Sequence, residues 1–272
     1  MATKKAFMKT AFRSLLIIGI FVYLPSQSRA WGLTGHRIVG QIADSYITAK
    51  TREQIKKILG TESIAIASNW ADFIKSDSNY KYLDVWHYIN FEKGLSYEQL
   101  KEVLKKDTAM DAYTRINFLV KELKKKNLSQ DRKQMYLRLL IHIVGDIHQP
   151  LHVSPVGTTG GNAIRVQWFS TQSNLHRVWD SQLIDEQQLS YTEYVMDINH
   201  STLAQRKKLQ ADPLSKWLYE SYVIAQQLHD EIKEDNPRLG YRYNFDHIAT
   251  VNSQLLKGGI RLAGLLNEIF GK

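Results

Sequence analysis

Apolar residues recur at helical spacing through most of the chain, and this periodicity constrains the fold more than any other feature. Residues three and four apart lie on one face of an α-helix, so each apolar stripe predicts a helix with one buried side. Residues 214–232 and 247–269 predict a closing helix pair. The other stripes are Ile38, Ile42, Ala43 and Ile47; Leu100, Val103 and Leu104; Ile116, Leu119, Val120 and Leu123; and Met135, Leu139, Leu140, Ile143, Val144 and Ile147. We therefore predict a mainly α fold.

One segment breaks the helical pattern. Residues 153–174 contain three glycines and an alternating stretch from Ala163 to Phe169. Alternation of apolar and polar residues is typical of a strand, and glycines mark turns. We expect a loop that leads into a short hairpin or an extended excursion from the helical domain.

The first 30 residues have the pattern of a signal peptide. Four basic residues precede the apolar run SLLIIGIFVYLP, and Ser28 to Ala30 place small residues where a signal peptidase cleaves. The run is too short to be a membrane span. Cleavage after Ala30 would make Trp31 the new amino terminus, and the protein would be exported to a periplasm or the extracellular space. Residues 31–272 are enough for one well-buried domain.

Charge and cysteine content limit the function classes. Residues 1–30 carry five basic and no acidic residues, so their removal lowers the formal charge from +9 to +4. The longest basic run, residues 121–126, is interpreted as a solvated helix end, because helix C-termini favour cations. A nucleic-acid patch is the alternative for this run. The chain has no cysteine, so an exported form relies on its core and on bound ions for stability.

Two histidine–aspartate pairs stand at a spacing that a helix brings to one face. His142 and Asp146 are four residues apart in the longest apolar stripe, and His176 and Asp180 have the same spacing. Zinc takes neutral imidazole nitrogen and carboxylate oxygen as ligands. A single pair of this kind is more often a structural hydrogen bond. The metal interpretation therefore depends on further ligands nearby.

Further candidate ligands accompany these pairs. His152 follows Pro150, which ends the preceding helix and allows the imidazole to face back. Asp72 and His87 each have a tryptophan close by in the sequence, and His36 lies five residues after the predicted amino terminus. This accumulation favours a metal centre over isolated hydrogen bonds.

Six motifs occur in a fixed order along residues 31–272. They are Trp31-Gly32-Leu33-Thr34-Gly35-His36, Asn69-Trp70-Ala71-Asp72, Trp86-His87, His142-Ile143-Val144-Gly145-Asp146-Ile147-His148-Gln149-Pro150-Leu151-His152, Gly160-Gly161-Asn162 and Asn174-Leu175-His176-Arg177-Val178-Trp179-Asp180. In order and spacing the chain resembles the trinuclear-zinc, single-strand-specific nucleases of fungi and plants. That family shares its helical fold with zinc-dependent bacterial phospholipases C, so the resemblance implies the same fold here.

The resemblance implies three zinc ions per chain. The implied ligands are Asp72, His87, His142 and Asp146 for the first ion; His152, His176 and Asp180 for the second; and His36, bridging Asp146 and both the amine and carbonyl oxygen of Trp31 for the third. An acylated nitrogen cannot serve as that ligand, so the third site requires removal of residues 1–30.

The resemblance also implies the chemistry and the substrate. Bound zinc supplies a nucleophile from water at neutral pH and relieves negative charge on phosphate oxygens. Asp72 would orient the nucleophile, and the products would carry 5′-phosphates. Tyr88 would stack on a base and Asn162 would lie near the nucleotide, which favours single-stranded DNA and RNA as substrates and allows 3′-nucleotidase activity. Without the motif, Tyr88 would be interpreted as a core aromatic residue.

Two other functions are compatible with these ligands. A zinc-dependent phospholipase C could use the same ions, but the phospholipases place a glutamate where Asp180 stands, and the sequence has no evident lipid-binding helix. A non-catalytic zinc-binding protein would have saturated sites, whereas three ligands on the second ion leave a position open. We expect structural or polar roles for four other histidines: His148, His200, His229 and His247.

Overall fold

The structure is a computed structural model that describes residues 31–271, so the predicted signal peptide lies outside the described residues. The helices are α1 (Leu33–Tyr46), α2 (Ala49–Leu59), α3 (Ile64–Ala67), α4 (Trp70–Ile74), α5 (Tyr97–Lys105), α6 (Ala112–Leu123), α7 (Gln130–Asp146), α8 (Leu175–Arg177), α9 (Leu183–Asp185), α10 (Tyr191–Ile198), α11 (Leu203–Ala211), α12 (Leu214–Glu231) and α13 (Tyr241–Phe270). The predicted mainly α fold is confirmed.

Five short strands accompany the helices within residues 31–271. They are β1 (Ile89–Phe91), β2 (Val153–Pro155), β3 (Arg165–Trp168), β4 (Thr171–Asn174) and β5 (Arg238–Leu239). The predicted hairpin is confirmed as the antiparallel pair β3 and β4, which β5 joins in parallel. The parallel pair β1 and β2, in which Ile89 lies opposite Val153, was not predicted, because a three-residue strand is too short to show a period.

The core lies between the long helices. Helix α7 is buried along most of its second half, and α13 packs on α1. The last helix begins at Tyr241, six residues earlier than the predicted start.

The prediction for Val103 is wrong: this residue is 45% exposed. The buried face of α5 is formed by Leu100 and Leu104, and Val103 points about 100° away from Leu104 around the helix.

None of the helices within residues 31–271 is long and apolar enough to cross a membrane. The basic run at the end of α6 lies on the surface, where Lys124 pairs with Glu268 and Lys125 pairs with Glu122. These exposed ion pairs agree with a solvated helix end.

Candidate metal centre and active-site cleft

The candidate ligands come together from elements that are far apart in sequence. Helix α7 carries His142 and Asp146 in its last two turns, and α1 carries His36 in its first turn. Asp72 lies in α4, and His87 ends the 3-10 segment Ser78–His87. All five side chains are buried, so the helical core brings these polar groups into contact with one another.

Asp146 is at the centre of this cluster, and its two oxygens face different partners. Oδ1 lies 3.3 Å from Nε2 of His36. Oδ2 lies 2.8 Å from Nδ1 of His87 and 3.3 Å from Nε2 of His142. His142 Nε2 is also 3.8 Å from Oδ1 of Asp72. One carboxylate therefore joins a group that contains His36 to a group that contains Asp72 and His87.

A second cluster is formed by His152, His176 and Asp180. Nε2 of His176 is 3.1 Å from Oδ2 of Asp180, and Nε2 of His152 is 3.9 Å from Oδ1. His176 lies in α8, and Asp180 lies in the π-helical turn Val178–Gln182 that follows it. Single π turns inside helices occur frequently at functional sites. His152 ends the 3-10 turn Pro150–His152, as expected from the proline.

Backbone carbonyls fix the orientation of three imidazoles. The Nδ1 atoms of His142, His152 and His176 lie 2.6, 2.7 and 2.6 Å from the carbonyl oxygens of Ser68, His87 and Gly160, respectively. A carbonyl accepts only, so each Nδ1 carries the proton and each Nε2 keeps its lone pair. Such a contact sets the tautomer and direction of a metal-binding histidine.

Several polar atoms at the centre of the clusters have no hydrogen-bond partner within residues 31–271. They are His36 Nδ1 and Nε2, Asp72 Oδ2, His87 Nε2, Asp146 Oδ1 and His152 Nε2. Buried polar atoms are rarely left unpaired, because desolvation without a partner costs about 1–3 kcal/mol each. Unpaired nitrogens and oxygens at these positions are the donor set that zinc prefers.

The spacing of the donor atoms also fits a metal ion. Ligands bound tetrahedrally at about 2.1 Å stand about 3.4 Å from one another. The closest contacts within the clusters run from 2.8 to 3.9 Å. In three groups the donor atoms all lie within 4.8 Å of one another: His36, His142 and Asp146; Asp72, His87 and His142; and His152, His176 and Asp180. The three groups together contain every histidine and aspartate that the sequence singled out as a ligand.

The charge states of the buried groups also suit cation binding. Burial lowers the pKa of His142 to about 3, which keeps the ring neutral. Burial by itself would raise the pKa of Asp146, but His142 and His87 hold this pKa well below its usual range. His142 is therefore neutral and Asp146 is ionised, the protonation states that bind metals. Burial by itself would lower the pKa of His176, but the neighbouring Asp180 raises it above its ordinary value.

Trp31 lies next to the His36 group. The tryptophan is fully buried, and both its ring and the ring of His36 pack over Gly145 on α7. A Cβ atom at Gly145 would lie 2.8 Å from His36 Nδ1 and 3.9 Å from Trp31 Cδ1. The absence of a side chain at residue 145 therefore allows α1 to approach the end of α7.

The clusters open onto a cleft of about 800 Å³. The cleft is lined by Lys75, Lys81, Asn162 and Tyr88, which is 42% exposed. The two predicted substrate residues thus face the same cleft. His87, His152 and His176 also line it. Tyr88 is not a core residue, because it is partly exposed and lines the cleft.

Residues 31–271 match the model of the S1/P1 Nuclease family. The chain belongs to the S1/P1 nuclease family. Similar proteins include Endonuclease 5 of Arabidopsis thaliana, 30% identical over 290 residues that cover 94% of this chain and 96% of that protein. Nuclease S1 of Aspergillus oryzae is 29% identical over 289 residues, 94% of this chain and 98% of its own. Nuclease P1 of Penicillium citrinum is 27% identical over 271 residues, which cover 89% of this chain and 98% of that protein.

Family membership makes this protein a nuclease, a hydrolase that cleaves phosphodiester bonds. The predicted resemblance is confirmed over the whole described part of the chain. The phospholipase C alternative and the non-catalytic alternative have no such support. The cleft with its His/Asp groups is the candidate active site of this S1/P1-family nuclease.

Sequence analysis missed Lys75 as a candidate functional residue of the nuclease. Its Nζ atom lies 2.7 Å from Oδ1 of Asp72, and its side chain lines the cleft. Burial by itself would raise the pKa of Asp72, but His142, Lys75 and His36 lower it below its usual range. The signal was the position of Lys75 three residues after Asp72, on the same face of a helix.

His148 belongs to the core of the nuclease and is outside the metal groups. Its Nδ1 donates to the carbonyl of Val144 at 2.7 Å, and its Nε2 lies 3.2 Å from Nη1 of the buried Arg261. Arg261 in turn donates to Asp212 at 2.8 Å. None of the three donor groups within residues 31–271 includes His148, and the same holds for His200, His229 and His247, in agreement with the structural roles expected for them.

Proposed function

We propose that this S1/P1-family protein is an exported, zinc-dependent endonuclease that hydrolyses single-stranded DNA and RNA to 5′-phosphorylated products and has 3′-nucleotidase activity. The observation that carries the proposal is the position of Asp146 at the centre of the donor groups, with one oxygen toward His36 and the other toward His87 and His142. A carboxylate in that position is suited to bridge two cations.

Three zinc ions would be held by the residues that the resemblance implies. Asp72, His87, His142 and Asp146 would hold the first ion, and His152, His176 and Asp180 the second. Asp146 and His36 would hold the third ion together with the amine and carbonyl oxygen of Trp31. Bound zinc supplies a nucleophile from water at neutral pH and relieves charge on the phosphate and the leaving oxygen. The unpaired donor atoms of the clusters support this assignment.

Two side chains around the ions, Asp72 and Lys75, would have further roles in the reaction. The ionised carboxylate of Asp72 would orient the attacking water, because its buried Oδ2 has no hydrogen-bond partner in the described chain. Lys75, held against the other oxygen of Asp72, would place a positive charge at the cleft wall beside the phosphate. Such fixed charges stabilise the negative charge that develops during phosphoryl transfer.

Substrate selection would depend on the cleft walls. Tyr88 would stack on an exposed base, an interaction that tolerates any sequence but requires an unpaired base. Asn162 also lines the cleft, and its amide nitrogen donates to the carbonyl of Thr159 at 3.0 Å. This contact leaves the side-chain oxygen available to a nucleotide. The partly exposed ring and the open cleft favour single strands over duplex.

The export part of the proposal rests on the sequence pattern of residues 1–30. It also fits the chemistry of Trp31, since only cleavage before this residue creates a free amine beside His36.

The experiment that tests the proposal combines metal analysis with a substrate panel. The mature protein is expected to contain about three zinc ions per chain, to cut single-stranded DNA and RNA, and to lose activity with a chelator. Duplex DNA, a 3′-nucleotide and phosphatidylcholine complete the panel. Faster hydrolysis of phosphatidylcholine than of single strands would contradict the nuclease assignment. A single bound metal in active protein would contradict the trinuclear centre.

A further inference from the structure

One backbone hydrogen bond connects the amino-terminal segment to the His152, His176 and Asp180 group. The amide of Gly32 donates to the carbonyl oxygen of Asp180 at 2.6 Å. Gly32 follows Trp31 and lies one helical turn before His36, so it belongs to the segment that serves the proposed third ion. Asp180 belongs to the proposed site of the second ion. A single peptide group thus connects two metal sites.

A side chain at residue 32 would collide with Ser181, the residue after Asp180. A Cβ atom there would lie 2.2 Å from Oγ of Ser181, 3.1 Å from Cβ of Ser181 and 3.2 Å from the carbonyl oxygen of Asp180. The φ angle of Gly32 is −52°, which any residue adopts. Glycine is therefore favoured here by the close approach of Ser181 and the Asp180 carbonyl and not by its conformational freedom.

The backbone of Asp180 and its carboxylate are mechanically coupled. The carboxylate lies 3.1 Å from Nε2 of His176 and also accepts a hydrogen bond from Gln149. Asp180 occupies the middle of the π turn Val178–Gln182, and its carbonyl oxygen contacts Gly32. A shift of this carbonyl would also shift the adjoining Cα atom, which carries the carboxylate, and would change the distance between the carboxylate and His176.

We propose that Gly32 is a positioning residue that holds Asp180 in the geometry required by the second metal site. The same contact holds the amino-terminal segment against the turn Val178–Gln182. The inference rests on the proposed function, because it assigns Gly32 a role toward the proposed zinc groups. Packing of the amino-terminal segment then completes two proposed zinc sites: the third site, which includes Trp31, and the second site, which includes Asp180.

Four forms of the exported full chain test the inference: wild type, Gly32→Ala, Ser181→Gly and the double variant. The added methyl group of Gly32→Ala must displace Ser181 or the Asp180 carbonyl. We expect fewer zinc ions per chain by elemental analysis and a loss of about 10²-fold in kcat, the effect of a displacement of about 1 Å in an active site. KM for single-stranded DNA is expected to change less than kcat, because Tyr88 and the cleft walls are untouched.

Ser181→Gly removes both atoms of the serine side chain that the new methyl group would meet. This variant alone is expected to keep the zinc content and the kcat of the wild type. Combined with Gly32→Ala, it leaves only the Asp180 carbonyl at 3.2 Å and is expected to restore most of the zinc and activity. If zinc content and activity recover together, the defect of Gly32→Ala is a steric effect on the metal site. Thermal unfolding of each variant measures any general loss of folding.

Three outcomes would overturn the inference. Gly32→Ala with normal zinc content and kcat would show that the contact does not position Asp180. A double variant as impaired as Gly32→Ala would show that Ser181 is not the obstacle. If Gly32→Ala fails to fold, a folded double variant with full zinc content but low kcat would also contradict it. A wild type that lacks zinc or nuclease activity would instead overturn the proposed function on which the inference rests.

Discussion

Replacement of Tyr88 by alanine tests the substrate side of the cleft without touching the metal groups. The backbone of Tyr88 is extended, and its carbonyl accepts from the amide of Ala112 at 3.1 Å. Alanine keeps both features. His87, the neighbouring candidate ligand, directs Nδ1 toward Asp146. The change therefore removes the exposed ring and leaves the zinc content unaltered.

The expected magnitude follows from base stacking. A base on an aromatic ring contributes about 1–3 kcal/mol, so Tyr88→Ala should raise KM for single-stranded DNA by about 5-fold to about 160-fold. Tyr88→Phe keeps the stacking surface and should remain within about twofold of the wild type. Activity on a phosphodiester without a base should not change.

A matched control is available in the same segment. Tyr82 is 52% exposed, belongs to the same 3-10 segment Ser78–His87, and does not line the cleft. Steady-state kinetics of Tyr82→Ala should match the wild type. Equal increases in KM for Tyr82→Ala and Tyr88→Ala, or no increase for Tyr88→Ala with normal zinc content, would refute the assignment of Tyr88 to base stacking.

Four further predictions concern the metal centre, the amino terminus, the cleft and the core. Asp146→Asn should abolish hydrolysis and leave about one zinc ion per chain, whereas near-normal activity would contradict the bridge. A protein that begins with methionine before Trp31 should fold but bind about two zinc ions and be largely inactive. Enzymatic removal of that methionine should restore the third ion and the activity together, and equal activity before and after would make Trp31 a packing residue. Lys81→Gln should reduce the slope of log affinity against log salt by about 0.7 for single-stranded DNA, as expected for one lost phosphate contact, and an unchanged slope would exclude that contact. Burial lowers the pKa of His142 to about 3 and also lowers the pKa of His148, so the folded metal-free protein binds fewer protons than the unfolded chain below about pH 6.5. Its free energy of unfolding should fall with decreasing pH by up to about 1.4 kcal/mol per pH unit for each of these histidines, and a flat urea-denaturation profile between pH 7 and pH 5 would contradict this.

Sequence alone determined the fold class, because helical periodicity is a local property of the chain. The stripe that ends at Ile147 predicts a buried helix, and α7 is buried over most of its second half. The hairpin after residue 163 was equally readable from its alternation and its glycines. Sequence also determined which residues are candidate ligands, because six motifs in a fixed order resemble one family. Val103 marks the limit of this approach, since spacing does not say how wide the buried face of a helix is.

Tertiary structure decided how the ligands are arranged. The two oxygens of Asp146 have the same chemistry in the sequence, and only the positions of α1 and the 3-10 segment direct one toward His36 and the other toward His87. The carbonyls that orient the imidazoles come from residues 16 to 74 positions away. The contact between Gly32 and Asp180 joins residues 148 positions apart. Spacing along a chain constrains only neighbours within a helical turn or a strand, so contacts of this range depend on how the completed elements pack.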